Sequence, residues 1–183
     1  SNKVTYFENI NSIKNKLTGD AIISKAKNVG FGILSADCAP VLFYDPKNEV
    51  IGCAHAGWKG ALSGIIKNTI KKFNELDTKN NDLIAVVGPC IKKENYEVKS
   101  DFYEKFIYNN QKNIIFFEKI SNEKYIFDLR GFINNEIINM NIKNIENIEM
   151  DTFSEKELFY SCRRSHFNKE KDYGRCISVI LMT

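Results

Sequence analysis

"PVLFYDPKNEVIGCAHA", residues 40–56, decides the fold. Two runs rich in β-branched and aromatic residues, 40–45 and 49–56, flank a connection carrying Asp-Pro and Lys-Asn. Such a connection is a tight reversal, so the pair is predicted to form an antiparallel hairpin. Just upstream, "GFGILS" (30–35) stops against "ADC", and the hairpin's second strand runs into "HAGWKG". Cys38 and His55 thus stand at strand ends, flanked by Ala36 and Ala39 in one case and by Ala54, Ala56 and Gly57 in the other. Small neighbours let backbone approach a ligand, and the single hairpin carries both side chains to one end of a sheet. A thiolate and an imidazole are borderline-soft donors suited to Zn²⁺. Two donors do not make a site. A catalytic zinc takes three protein ligands and keeps one position open, and the only other histidine, His166, is read in a polar loop far along the chain.

Further strands are predicted at 83–88, 114–120, 147–153, 158–162 and 176–182, all short and apolar. Residues 58–76 place Leu62, Ile65, Ile66, Ile70 and Phe73 on one stripe with lysines opposite, which predicts a helix. Two more helices are expected, one opening at Ser100 and one at Asp128, each residue serving as the N-cap. Strands and helices alternate too irregularly for a doubly wound parallel sheet, leaving a mixed α/β single domain.

The 183 residues are 43% hydrophobic and 12% aromatic, enough for a real core. A net charge of +3 gives no footprint for a nucleic-acid partner or a membrane surface. No apolar run approaches the roughly 18 residues of a membrane span, and "SNKVTYFENINSIK" (1–14) lacks the order of a signal peptide. The five cysteines form no C-x-x-C pair, a pattern expected of reduced thiols in a cytoplasmic protein. Cys53, within a strand run, reads as a small buried hydrophobe.

Lysine and arginine total 26, yet only four are arginine, and three of these are Arg163, Arg164 and Arg175. A planar guanidinium is hard to replace at a phosphate or carboxylate site. The alternative is a structural ion pair, with Asp172 or another carboxylate.

The ordered series "GDAIIS", "GFGILSADCAPVLFYD", "VIGCAHAGWKG", "VVGPCI", "YEV", "FDL" and "FYSCRRS" through "DYGRCISVIL" resembles the YfiH-type family along nearly the whole chain. These proteins were formerly labelled polyphenol oxidases or laccase-domain proteins. They are now described as purine nucleoside phosphorylases with adenosine deaminase activity. The resemblance implies a layered α/β/β/α arrangement with mixed sheets, shared with bacterial toxin deamidases that use a Cys/His pair. It implies a zinc site holding Cys38, His55 and an upstream histidine, which falls immediately before Ser1. The chain is therefore expected to be one catalytic domain, 1–183, lacking the family's N-terminal part. The implied substrates are phosphate and a purine nucleoside: adenosine, inosine, guanosine or methylthioadenosine.

A copper oxidase does not fit the inventory, because two histidines cannot furnish a multicopper cluster. The implied site gives the remaining residues candidate roles. Arg163, Arg164 and Arg175 are phosphate-binding candidates. Asp37 is either a general acid/base or a buried carboxylate tying strand ends together. Trp58 either stacks a base or opens a helix as a core residue. The runner-up function is a metal-free hydrolase or deamidase with Cys38 as nucleophile and His55 as base. A third is a metal-binding module without turnover.

Overall fold

The computed structural model describes residues 1–9 and 18–183; residues 10–17, which include the end of the stretch compared with a signal peptide, lie outside the described residues. The hairpin forms as the turn chemistry requires. Strand β4 (Ala39–Asp45) pairs antiparallel with β5 (Val50–Ala56), placing Pro40 opposite His55. The Asp45 carboxylate accepts the backbone N–H groups of Lys47 and Asn48 and so closes the turn.

Around this hairpin a six-stranded mixed sheet assembles. With β1 (Val4–Phe7), β2 (Ala21–Ser24), β6 (Ile84–Val87) and β10 (Asn144–Asn147), the order is β1-β2-β5-β4-β6-β10. The two outer pairs are parallel and the three inner pairs antiparallel. Helices α2 (Ile65–Asn74) and α4 (Leu129–Asn139) pack on one face, where Ile65, Ile66, Ile70 and Phe73 are fully buried. Against the other face lies a ribbon of β3 (Val29–Ser35) and β11 (Cys176–Met182). A second core of Phe31, Ile33, Ile51 and Cys53 fills the space between sheet and ribbon. A small antiparallel sheet, β7 (Glu97–Lys99), β9 (Lys124–Phe127) and β8 (Phe117–Lys119), stands beside helix α3 (Ser100–Asn109).

Several local expectations need correcting. The helix over 58–76 is two pieces, α1 (Trp58–Leu62) and α2, because Gly64 adopts φ +85 and breaks the hydrogen-bond ladder. Residues 111–116 form a 3₁₀ helix, so only the end of the 114–120 run is strand. The strand expected at 147–153 lies earlier, as β10; beyond it the Ile148 N–H still donates to the Val87 carbonyl and Asp151 forms an isolated bridge with Cys90. Residues 158–162 are not a strand: the Ser161 hydroxyl accepts the Arg164 N–H and starts helix α5 (Cys162–Phe167). Ser100 is the first residue of α3 rather than its cap, whereas Asp128 caps α4 by accepting the Gly131 N–H.

The outer face of the ribbon is apolar and open. Leu34, Ile177, Val179 and Leu181 are each more than half exposed, and the register sets Ile177 directly across from Leu34. A contiguous apolar strand face attracts other chains. Ile177→Thr with Val179→Thr keeps β-branched residues and should change stability by no more than about 0.5 kcal/mol. The double variant is expected to shift the protein from aggregate toward monomer in analytical ultracentrifugation. An unchanged distribution would show that this face is not the one that sticks.

Candidate active site

The segment between β3 and β4 is the pivot of the site. Asp37 takes φ +81, a left-handed conformation rare for a residue with a side chain. That strained residue is held because its buried carboxylate accepts three hydrogen bonds: Thr152 Oγ1 (2.8 Å), Ser161 Oγ (3.0 Å) and the Arg163 N–H (2.6 Å). Its carbonyl also accepts the Ile91 N–H. Asp37 therefore ties the β3–β4 turn to the start of α5, with its charge committed to those donors.

The next residue, Cys38, meets His55 across Gly57. A methyl group built on Gly57 would stand 2.8 Å from Cys38 Sγ and 3.8 Å from His55 Nε2. Sulfur and imidazole nitrogen thus converge on one spot, which only a glycine leaves free. His55 Nδ1 points the other way, 3.4 Å from Asp20 Oδ1. Both donors line a concavity of about 330 Å³ that Ser1, Asp20 and Trp58 also border. Burial pushes the Cys38 thiol up to about 12, and the nearby Asp37 charge acts in the same direction. Unaided, this thiol stays protonated at neutral pH. Among the described residues, no group of three His, Cys, Asp or Glu side chains is arranged to hold a metal ion.

Cys38 and Trp58 also wall a larger cavity of about 530 Å³, which continues past Tyr96, Leu129, Cys162 and Arg163. Trp58 opens α1 and rests on Phe102 with ring centroids 4.7 Å apart. Phe102 in turn stacks on Phe106, so the indole sits on a fixed aromatic base. Trp58 is both a packed residue and a cavity wall.

The three arginines part company. Arg163 lines the cavity, its guanidinium 5.3 Å over the Tyr96 ring and donating to the Glu97 carbonyl. Arg164 turns elsewhere and donates to the carbonyls of Thr152, Phe153 and Phe159, stapling the loop before α5. Arg175 lies over Tyr173 at 4.8 Å. None of the three pairs with a carboxylate among the described residues; Asp172 instead accepts the Tyr173 N–H.

His166 belongs to α5 rather than a loop, and it lines the larger cavity. Sequence reasoning missed Asp20, Tyr96 and Cys162 as members of the site. Tyr96 had a usable signal in the quoted "YEV"; Cys162 was hidden by the strand assigned to 158–162.

All 183 residues match the sequence profile of the family described as multi-copper polyphenol oxidoreductase laccase. The chain belongs to this family. It is 38% identical over 164 residues to a purine nucleoside phosphorylase of Rickettsia conorii, covering 89% of this chain and 68% of that protein. It is 30% identical over 173 residues to the purine nucleoside phosphorylase YfiH of Escherichia coli, covering 90% and 68%. The crystal structure of the hypothetical protein YfiH from Bacillus licheniformis superposes with a TM-score of 0.82 at 31% identity, over 90% of this chain and 61% of that one. Family members are thus named as nucleoside phosphorylases although the family description speaks of copper. The family's layered mixed-sheet fold is the one seen here.

The glycine between the two donors offers a direct probe. Gly57 has φ −75, which any residue adopts, so Gly57→Ala tests contact rather than backbone strain. The added methyl must push Cys38 Sγ aside. Turnover is expected to fall on the order of 100-fold, the usual consequence of moving a reacting group by about 1 Å, with the melting transition retained. Full turnover in this variant would put the chemistry elsewhere.

Proposed function

We propose that the protein is a zinc-dependent purine nucleoside enzyme, cleaving adenosine, inosine, guanosine or methylthioadenosine with phosphate and deaminating adenosine. The observation that carries this reading is the approach of Cys38 Sγ and His55 Nε2 in one concavity, with Cys38 and Trp58 shared with an adjoining aromatic-lined cavity that holds the Arg163 guanidinium. The names of the relatives support the same substrate class.

Cys38 and His55 are two of the three donors a catalytic zinc requires. The family resemblance implies a histidine as the third. Held by Cys38 and His55, zinc would supply Lewis acidity at this spot and would lower the pKa of the Cys38 thiol.

The chain's own residues do the rest. Trp58 and Tyr96 present ring surface for a purine. Arg163 offers paired N–H groups to phosphate, while Asp37 fixes its backbone. In phosphorolysis a phosphate oxygen bonds to ribose C1′ as the glycosidic C–N bond breaks. The bonding electrons leave on the purine, which then takes up a proton. Arg164 serves the fold and not the phosphate.

The metal-free reading, Cys38 as nucleophile and His55 as base, draws on the lack of a three-donor group among the described residues. The burial that holds the thiol protonated works against it. The deciding assay uses a version extended upstream through a histidine, with adenosine and inosine, with and without phosphate. Phosphate-dependent release of base, lost on chelation and restored by zinc, is the expected result. Chelator-resistant turnover would move the metal-free reading to first place.

A further inference from the structure

We propose that Asp20 is the positioning residue of His55, fixing which ring nitrogen faces Cys38. This rests on reading Cys38 and His55 as metal donors only for its functional consequence; the geometry stands without it. Asp20 is the residue before β2, and β2 pairs antiparallel with β5 with Ala21 opposite Ala54. The ladder continues one step further, because the His55 N–H donates to the Asp20 carbonyl at 2.7 Å. Backbone pairing therefore holds the two residues side by side before any side-chain contact is made.

From that placement the Asp20 carboxylate reaches His55 Nδ1, at 3.4 Å from Oδ1. A carboxylate only accepts, so Nδ1 carries the proton. Neutral imidazole has one N–H, which leaves Nε2 as the bare nitrogen. Nε2 is the atom directed at the spot shared with Cys38 Sγ. An isolated imidazole has no such constraint. Asp20 thus makes His55 a donor toward the thiol rather than an N–H pointed at it, as an outer carboxylate does for a metal-binding histidine.

The test is imidazole ¹⁵N NMR of the 183-residue protein without metal, above the histidine titration range, with His166 assigned by His166→Gln. His55 is expected as the Nδ1–H tautomer. In Asp20→Asn, whose amide can donate to Nδ1, and in Asp20→Ala, it is expected to shift toward Nε2–H. Zinc affinity, measured by chelator competition on the extended protein, should fall about 10- to 100-fold in Asp20→Asn and recover in Asp20→Glu. An unchanged tautomer in both variants overturns the proposal, as does unchanged affinity in a protein that binds zinc. Failure of the parent to bind zinc would sink the metal reading instead, and the tautomer result alone would then decide Asp20.

Discussion

Cys38→Ser is expected to abolish measurable zinc binding and lower phosphorolysis by more than about 100-fold. Even an outer-shell partner is worth 10- to 100-fold, and Cys38 is proposed as a direct donor. The exchange is nearly isosteric, so the turn held by Asp37 should survive it. What changes is chemistry: an alcohol is a harder, weaker donor than a thiolate and stays protonated near neutral pH. Metal content by elemental analysis, inosine turnover and a thermal melt on the extended protein would be measured together. His55→Ala should give the same loss through the other donor. Lost turnover with zinc still bound would make Cys38 a nucleophile rather than a ligand. Lost zinc with turnover intact would make the metal dispensable.

Asp37→Ala is expected to cost stability above all, by about 3 kcal/mol or more, since it strands buried donors that each cost roughly 1–3 kcal/mol unsatisfied. The Thr152 and Ser161 hydroxyls and the Arg163 N–H all lose their acceptor. Alanine also inherits φ +81, whereas Asp37→Gly does not suffer there, so glycine should be milder by about 1 kcal/mol. Urea unfolding of the three proteins gives the ranking. A variant that keeps its full unfolding midpoint yet loses turnover would make Asp37 an acid or base rather than an anchor.

These two residues mark what was legible in the sequence. The β4–β5 hairpin was readable because Asp-Pro and Lys-Asn are local turn signals between two apolar runs. Cys38 and His55 could be placed at one sheet end for the same reason. The family's motifs supplied the layered fold and the expectation of a third ligand. Asp20 was not readable as a partner of His55, since that contact depends on β2 lying beside β5, a pairing no local pattern announces. Arg163 and Arg164 are adjacent and chemically alike, and only the fold sends one into the cavity and the other to backbone carbonyls. The 158–162 error has a local cause: "LFYSC" has strand composition, but Ser161 spends its hydroxyl starting a helix.

The Asp37 anchor has a kinetic consequence. Its three donors lie 115, 126 and 124 residues along the chain, at Thr152, Arg163 and Ser161. Contacts so distant in sequence close large loops before they return any stabilisation, and topologies built on them fold slowly. The β4–β5 hairpin can form early from nearby residues, but the cavity wall carrying Arg163 cannot arrive until the last third of the chain has docked. On refolding from urea, ligand binding should therefore appear after the bulk of the far-ultraviolet circular dichroism signal has returned. The same tether can release first under mild denaturant, opening the cavity while the six-stranded sheet is still intact.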